Sequence, residues 1–439
     1  MAFELDTTFA QDPSAHFDTL QVHAGLAPDP TTGAAALPIY ASAAFQFDDA
    51  ADGAAKFALA KPGNVYGRLT NTTTDSVATR IATLEGAAGA VAVASGHAAE
   101  VLAITNLVGA GDHIVASDSL YGGTWNILLH TLGDLGVETT FVGNNDIDAF
   151  VAATKENTKL WYVETIGNPL VDVADVPALV QAANSLPSPV PVFVDNTFAT
   201  PYLYRPAEDG AAVVIESLTK WIGGHGATLG GAVVDTGVYD WKAQADKFPT
   251  IAKPDPSYHG AVFADAAPAA PFSTRVLANK LRDFGPTLSP YAAQLIGIGI
   301  ETLSLRVQRH SDNALAVARW LKENPKVAWV RYSGLEDDPS HEVASRILHN
   351  GFGGVVVFGL KGGRDAGLNV VSGVKLFTHL ANVGDAKSLI IHPASTTHSQ
   401  LTAEQLEAAH LSEDLVRLSV GIENVDDIIA DLDQAISRA

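Results

Sequence analysis

The sequence contains no cysteine, so disulfide bonds, thiolate metal sites and cysteine catalysis are all excluded. Basic side chains are few, because 27 Lys and Arg stand against 49 Asp and Glu and leave a net charge of -22. This negative excess, with no basic cluster to offset it, disfavours nucleic acid and anionic membranes as partners. An anionic ligand must therefore be held by local groups against the overall field.

Long hydrophobic runs are also missing, since Gly, Ser or Asp interrupts every apolar stretch well before the ~18 residues of a membrane span. Residues 1–20 are acidic and lack the charged-then-apolar pattern of a signal peptide. We therefore expect a cytoplasmic protein without a membrane partner. At 439 residues and 47% apolar composition, the chain is long enough for two domains with a large core.

Short apolar runs alternate with helix-like segments between about residues 75 and 235. The predicted strands are Ala90–Ala94, His113–Ala116, Thr139–Val142, Leu160–Val163, Val190–Val194, Ala212–Ile215 and Gly231–Val234. The predicted helices are Asp75–Leu84, Ala98–Leu107, Thr124–Leu135 and Val176–Ala183. This alternation predicts an α/β fold whose mostly parallel sheet is covered by helices on both faces. Ligands of such sheets bind at the carboxyl ends of the strands.

We divide the chain into an N-terminal arm (1–60), a large domain (61–285) and a smaller C-terminal α/β domain (286–439). The arm shows no strand-helix rhythm and is expected to be extended, with one or two helices. Residues 241–286 are rich in Pro, Ala and aromatics, which predicts a long irregular excursion of functional or interfacial use. The predicted elements of the C-terminal domain are a helical region from Leu288 to Asn324, strands Gly354–Leu360 and Val416–Val420, and a helix Asp426–Ser437.

A lysine between two hydroxyl side chains, Lys220 with Ser217 and Thr219, follows the apolar run Ala212–Ile215. Burying an ammonium group is unfavourable unless it is paired or neutralised, so a lysine at this place needs a reason. One reason is covalent, because a lysine of lowered pKa can form a Schiff base with an aldehyde cofactor. The hydroxyls would then hold a phosphate, and Asp195, at the end of another apolar run, would pair with a pyridine nitrogen. A solvated loop lysine and a helix-capping aspartate are the alternatives.

The segment Ala90–Ala99 is typical of a strand, a tight turn and the start of a helix. The amides of Gly96 and His97 would lie at the positive end of the helix dipole, which suits a phosphate. An ordinary helix start capped by Ser95 is the alternative.

Two further segments carry candidate ligand-binding side chains. Tyr121, in LYGGT (120–124), follows a predicted strand and would stack on a flat ring, or else is a partly buried surface tyrosine. Tyr66 and Arg68, ahead of the first strand, would bring a guanidinium to a phosphate, with a solvated arginine as the alternative.

Arg417 lies inside the apolar run Val416–Val420. Facing inward, it would bind a carboxylate in bidentate fashion, whereas an alternating strand could equally turn it to solvent. His392 and His398 match no standard zinc spacing, so we predict a structured loop there and no metal site. The glycine-rich residues 224–230 do not fit a dinucleotide-binding loop, which disfavours nucleotide binding.

Taken together, these segments resemble the Cys/Met-metabolism family of enzymes that depend on pyridoxal 5'-phosphate (PLP). The resemblance extends from about Thr19 to the end of the chain. Its motifs stand in the family's order and are YGRLTN at 66–71, SGHAA at 95–99, LYGGT at 120–124, ETIGNP at 164–169, DNTFATP at 195–201, SLTK at 217–220, HPASTTH at 392–398 and VRLSVGIE at 416–423. The resemblance implies fold type I, the PLP-dependent transferase (aspartate-aminotransferase-like) fold.

The resemblance also implies roles around the cofactor. Lys220 matches the lysine that forms the Schiff base and carries protons, and Asp195 matches the partner of the pyridine nitrogen. Tyr121 matches the tyrosine that stacks on the ring, which makes it a second catalytic candidate, and Asn168 matches the asparagine near the phenolic oxygen. The positions that match phosphate-binding residues are Ser95, Gly96, His97, Ser217 and Thr219.

Other matching positions concern the substrate and the neighbouring subunit. Tyr66 and Arg68 match residues that reach the phosphate of a neighbouring subunit, with Tyr66 also near the substrate. This match implies at least a dimer and, by family habit, a homotetramer. Arg417 matches the arginine that binds the substrate carboxylate. Asn382 stands where lyases and synthases usually have serine. Thr72 stands where the family usually has the proline of an Asn-Pro-Thr sequence shortly after YGR.

Within the family, residues 257–260, 299–310 and 380–400 are most similar to O-acetylhomoserine sulfhydrylases. Methionine γ-lyases typically carry cysteine where Gly123 stands. The resemblance thus implies that O-acetyl-L-homoserine and sulfide are converted into L-homocysteine and acetate. Lyase activity, cysteine as nucleophile and a succinylated donor remain open, as do two other classes, a nicotinamide dehydrogenase and a non-catalytic PLP-binding protein.

Overall fold

The computed structural model describes residues 15–58, 60–396 and 412–439. Within them the strands are β1 Gly89–Val93, β2 His113–Ser117, β3 Glu138–Val142, β4 Thr158–Glu164, β5 Val192–Asp195, β6 Val213–Glu216, β7 Gly231–Asp235, β8 Val327–Arg331, β9 Val355–Leu360, β10 Thr378–His379, β11 Leu389–Ile391 and β12 Leu415–Ser419. The α-helices are α1 Phe17–His23, α2 Ala50–Phe57, α3 Thr72–Glu85, α4 Gly96–Leu107, α5 Gly122–Asn126, α6 Leu132–Asp134, α7 Ile147–Ala153, α8 Val176–Asn184, α9 Thr200–Leu203, α10 Pro249–Ala252, α11 Phe263–Ala266, α12 Pro271–Arg275, α13 Arg282–Phe284, α14 Pro290–Ile300, α15 Leu303–Glu323, α16 His341–Ile347, α17 Gly363–Gly373 and α18 Val425–Ile436.

The seven strands from β1 to β7 form one sheet in the order β1-β7-β6-β5-β4-β2-β3. Its five strands β2 to β6 are parallel, whereas β7 runs antiparallel to both β1 and β6. The predicted mostly parallel sheet is therefore confirmed. The predicted strand Val190–Val194 begins later, at Val192, because Pro191 has no N–H for the ladder.

Both faces of this sheet are apolar, as a doubly covered sheet requires. On one face Trp161, Val163 and Val194 belong to a core shared with α3, α8 and α14, while the other face carries Tyr162 and Phe193. The carboxyl ends of the central strands are left free for polar side chains. The site described below lies at this edge of the sheet.

The excursion at residues 241–286 was predicted to be irregular, and this prediction is wrong. It contains α10 to α13 and a π-helical turn at Val276–Leu281. Its aromatic side chains Trp241, Phe248 and Phe272 are buried against the second face of the large sheet. The segment thus supplies a layer of the core, in short turns that several prolines start at their first position.

The C-terminal region forms a second sheet, in the order β10-β11-β12-β9-β8. Only its β10–β11 pair is parallel among the described strands, and α15, α17 and α18 pack against it. The predicted strands near 354–360 and 416–420 are confirmed, while β8, β10 and β11 were missed. The domain boundaries at residues 60 and 285 stay predictions.

The described part of the arm contains α1 and α2, as expected. Residues 1–14 and 59 of the predicted arm lie outside the described residues. No helix in the described ranges is both long enough and apolar enough to cross a membrane.

Candidate active site

Two neighbouring parallel strands bring the predicted aspartate and the hydroxyl-rich loop together. Asp195 ends β5 and pairs in register with Ile215 of β6. The amide of Thr197 donates to Asp195 Oδ1 at 2.9 Å, and its hydroxyl accepts from the amide of Ser217 at 2.8 Å. Burial raises the pKa of Asp195 to about 6, so the carboxyl remains largely ionised at neutral pH. The alternative role of Asp195 as a plain helix cap does not fit, because Asp195 ends a strand. It lies beside residues 217–224, the loop that carries Lys220 (the lysine loop).

Lys220 is largely removed from solvent, and its Nζ donates to Oδ1 of Asn382 at 2.6 Å. Burial, helped by the positive charge of Arg417, lowers the pKa of Lys220 to about 8. A neutral amine is therefore accessible near physiological pH, which an ordinary lysine does not offer. The alternative of a solvated loop lysine is wrong.

The backbone around Lys220 is fixed by a buried arginine that the sequence analysis missed. Arg306 of α15 donates to the carbonyl of Trp221 at 2.6 Å and to that of Ile222 at 3.2 Å. Gly224 closes the turn with a φ of 69°, and a Cβ there would lie 1.9 Å from Arg306 Nη1. The loop therefore needs glycine at this position to admit the guanidinium.

The turn from β1 into α4 meets the lysine loop. A Cβ on Gly96 would lie 2.7 Å from Cβ of Ser217 and 3.0 Å from its Oγ. The free first amides of α4, at Gly96 and His97, thus lie beside a hydroxyl at the positive end of a helix. Ser95 accepts from the amide of Ala98 at 3.1 Å, so its side chain is the helix cap, the alternative considered for it.

The hydroxyl of Thr219 closes the same loop from its other side. It accepts from the amide of Gly230 at 3.1 Å and donates to its carbonyl at 3.2 Å. Thr219 therefore holds the lysine loop against the start of β7 in this structure.

The gap between the first amides of α4 and Ser217 is called the cradle here. Tyr121 presents an aromatic ring beside it. The ring is 43% exposed and stacks on His97 with centroids 5.5 Å apart. A Cβ on Gly123 would come within 2.4 Å of both rings, so glycine leaves space for the pair. Burial, then the positive charge of Lys220, lowers the pKa of His97, which favours the neutral imidazole.

Arg417 points inward from β12 and is only 7% exposed, so the solvent-facing alternative is wrong. Its Nη1 donates to Oδ1 of Asn168 at 2.8 Å. Burial lowers the pKa of Arg417 to about 10, and the group stays cationic at neutral pH. Its remaining N–H donors suit a carboxylate.

Tyr66 and Arg68 lie elsewhere on the chain. Arg68 donates to the carbonyl of Arg282 and lies over the Tyr66 ring at 5.3 Å from its centroid. Among the described residues, no contact joins either side chain to Lys220. Among the described residues of one chain, these two side chains thus make no hydrogen bond, ion pair or ring contact with the other predicted site residues.

His392 uses both ring nitrogens: Nε2 donates to the Glu413 carbonyl at 2.8 Å, and Nδ1 accepts from Ser395 Oγ at 2.9 Å. His398 lies outside the described residues. No group of three or more metal-binding side chains occurs in the described part of the chain.

Residues 18–437 match the model of the Cys/Met metabolism PLP-dependent enzymes. The chain belongs to this family. Homocysteine synthase of Schizosaccharomyces pombe is 47% identical over 97% of this chain and 99% of its own length. O-acetyl-L-homoserine sulfhydrylase 1 of Thermus thermophilus is 46% identical over 96% of this chain and 100% of its own.

The solved structures agree with the family. A putative O-acetylhomoserine (thiol)-lyase of Campylobacter jejuni, which carries an N'-pyridoxyl-lysine-5'-monophosphate, superposes with a TM-score of 0.91 at 37% identity. The alignment covers 96% of this chain and 100% of that structure. The protein is thus a PLP-dependent enzyme of fold type I, and the nicotinamide-dehydrogenase alternative is wrong.

The residues at the site fit PLP. The gap kept open at Gly96 is lined by helix amides and the Ser217 hydroxyl, the groups that a phosphate needs. Asp195 supplies a carboxylate for the ring nitrogen, and Lys220 supplies an amine that loses its proton readily. Tyr121 offers an exposed aromatic face beside them.

Proposed function

We propose that this enzyme converts O-acetyl-L-homoserine and sulfide into L-homocysteine and acetate. The observation that carries the proposal is the contact between Lys220 and Asn382. Asn382 replaces the serine usual in lyases and synthases, and it lies in the segment most similar to O-acetylhomoserine sulfhydrylases. Near-full-length relatives named for that activity and for homocysteine synthesis support the same assignment.

In this proposal one charged side chain binds the substrate carboxylate, and a neutral amide from a distant part of the chain orients it. Arg417, from the C-terminal sheet, binds the α-carboxylate, and Asn168, from the large domain, orients the guanidinium. Because Arg417 is buried, its charge pairs with the substrate carboxylate with little competition from water. The substrate is thereby fixed with its α-carbon near Lys220.

Lys220 moves protons at the substrate carbons. When bound, PLP stabilises the negative charge that develops at the α-carbon. The lowered pKa of Lys220 lets its Nζ accept the α-proton near neutral pH and return it later. Asn382 Oδ1 holds the Nζ of Lys220 through a hydrogen bond, and Asp195 balances positive charge at the ring nitrogen.

The net reaction breaks the Cγ–O bond, so that acetate leaves with the bonding electrons, and forms a Cγ–S bond with sulfide. Tyr121 and Tyr66 are the candidates to assist the leaving group.

Product analysis tests the proposal directly. Purified, PLP-loaded protein is given O-acetyl-L-homoserine with and without sulfide. Homocysteine and acetate formed only with sulfide are expected. Ketobutyrate and ammonia at equal rates in both samples would instead mean a lyase, and no turnover of any acylated homoserine would mean a non-catalytic PLP-binding protein.

The proposal includes an assembly of identical subunits, a homotetramer by family habit, whose active sites are shared. The position of Tyr66 and Arg68, exposed and apart from Lys220, supports a role at a neighbouring subunit's site. The cytoplasmic location expected from the sequence stays a prediction.

A further inference from the structure

Glu164 is a buried carboxyl group at the site for which the function above has no use. It ends β4, is 4% exposed, and lies beside Asp195 in the parallel register of β4 and β5. Burial, then the charge of Asp195, raises its pKa well above the usual range of a glutamate. Such a group is unfavourable in the core unless both its oxygens are used.

Both oxygens of Glu164 are used, and they serve two different loops. Oε1 accepts from the amide of Tyr121 at 2.7 Å, and Oε2 accepts from the amide of Asn168 at 3.2 Å. Tyr121 carries the exposed ring, and Asn168 orients Arg417. One side chain therefore joins the ring-stacking loop to the carboxylate-binding pair.

The two loops are packed closely enough for one group to bridge them. A Cβ on Gly167 would lie 2.3 Å from Oγ of Ser119 and 2.6 Å from its carbonyl oxygen. Ser119 Oγ also donates to Asp172 Oδ2 at 3.3 Å. Glycine at 167 thus permits the approach, and Glu164 fixes its geometry.

We propose that Glu164 is a positioning residue that holds Tyr121 and the Asn168–Arg417 pair in one arrangement for the amino-acid substrate. The amides of Tyr121 and Asn168 act against burial and favour the carboxylate form of Glu164, and only a carboxylate offers two acceptor oxygens in one plane at this length. Glutamine would place an NH2 group against one of the two amides, and aspartate is one methylene too short to reach both.

This inference rests on the proposed function, and its test uses Glu164→Gln and Glu164→Asp in the PLP-loaded enzyme. Asp431→Asn is the matched control, because Asp431 accepts from the amides of Leu376 and Phe377 in the C-terminal domain, away from the site. In Glu164→Gln we expect KM for O-acetyl-L-homoserine to rise about tenfold and kcat to change less than about threefold. The control should keep the wild-type KM, and a Glu164→Gln KM within twofold of wild type overturns the inference.

Amide hydrogen exchange gives a second readout that needs neither turnover nor cofactor. Exchange in the apoprotein should become faster at both peptides 118–126 and 165–172 in Glu164→Gln, but at neither in Asp431→Asn. Faster exchange at one peptide only, or at neither, contradicts the bridge. Should Glu164→Gln fail to fold, Glu164→Asp is measured in the same way and is expected to change in the same direction.

A failure of the proposed function can be told apart from a failure of this inference. If the wild type does not turn over O-acetyl-L-homoserine, the dissociation constant of L-norvaline, read from the visible absorbance of the PLP-loaded protein, replaces KM. We expect about tenfold weaker binding in Glu164→Gln. Unchanged binding would overturn the positioning role whatever the reaction proves to be.

Discussion

At the scale of single residues, Lys220 shows how burial produces reactivity. Its pKa of about 8 leaves about half of the amine neutral at pH 8, where an ordinary lysine has less than ~1%. The same burial destabilises the fold, because the folded chain holds fewer protons than the unfolded chain between pH 8 and 10.5. This contribution to stability therefore improves as the pH rises through that window.

The pH dependence of labelling tests this pKa. The apoprotein is exposed briefly to PLP, reduced with borohydride, and the labelled Lys220 peptide is counted by mass spectrometry. The initial rate should rise about fivefold from pH 7 to 8 and less than about twofold from pH 8 to 9. A rise of about tenfold in each of the two intervals would mean that Lys220 has an ordinary pKa. The variant Lys220→Ala provides the blank.

The pKa of Asp195 is raised, whereas that of Lys220 is lowered. Replacing Asp195 should therefore have opposite effects on stability and on activity. Because its pKa is raised to about 6, the folded carboxylate costs stability as the pH rises from about 4 to above 6. Asp195→Asn keeps an acceptor for the Thr197 amide and removes the charge. We expect the apoprotein to gain about 2 kcal/mol at pH 7.5, and less at pH 5, while turnover falls at least ~100-fold.

Denaturant unfolding at the two pH values measures the first effect, and homocysteine formation measures the second. An Asp195→Asn apoprotein less stable than wild type at pH 7.5 would contradict the cost assigned to this charge.

At the scale of elements, the turn between β1 and α4 depends on Gly96, because glycine has no side chain to fill the space beside Ser217. Gly96→Ala would place a methyl group 2.7 Å from Ser217 Cβ, between the helix amides and the hydroxyl. We expect PLP to bind at least about tenfold more weakly, measured by titration of the apoprotein. Gly133→Ala is the control, because a Cβ there, inside α6, has no neighbour within 4 Å. Equal affinities in the two variants would count against the cradle.

The elements of the large sheet could be predicted because each is an apolar run bounded by turn residues. The direction of a strand was harder to predict, because β7 is as apolar as the parallel strands of the sheet and yet runs antiparallel to both of its neighbours, β1 and β6. Strand β11 was missed because three residues are too few to show a pattern, whereas β8 was missed although it has five residues and follows Asn324-Pro325.

The residues of the site, like the strands, could be predicted only in part. Lys220 and Asp195 could be found because strand ends meet at one edge of a parallel sheet. The pattern left the direction of Arg417 open, since alternation alone does not say which face is covered. Glu164 and Arg306 were missed because their main partners are backbone groups. The residue types in a sequence do not reveal which backbone groups will lie near a side chain.

At the scale of the whole molecule, the site is assembled from distant parts of the chain. Lys220 and Asn168 lie beside the first sheet, whereas Asn382 lies in the loop between β10 and β11 and Arg417 lies on β12. The two contacts that join them therefore tie the two sheets together at the place where we propose that the substrate binds.

The proposed sharing of sites between subunits predicts complementation. Lys220→Ala and Arg68→Ala should each be nearly inactive alone, since each lacks one group that the site needs. Unfolded together and refolded as a mixture, the two variants should recover about a quarter of wild-type activity per dimer, because half the dimers are hybrids with one intact site. No recovery, with hybrids demonstrated by mass spectrometry, would mean that Arg68 serves the site of its own chain.

The arginine beneath the lysine loop has a consequence for timing. Arg306 ties the carbonyls of Trp221 and Ile222 to α15, so the main chain beside Lys220 has little freedom to swing. The amine can then travel only by rotation about the bonds of its own side chain, within a reach of about 6 Å from its Cα. Rotations of a single side chain involve far fewer atoms than the opening of a loop. In the proposed mechanism, Lys220 can therefore deliver a proton without any movement of the backbone.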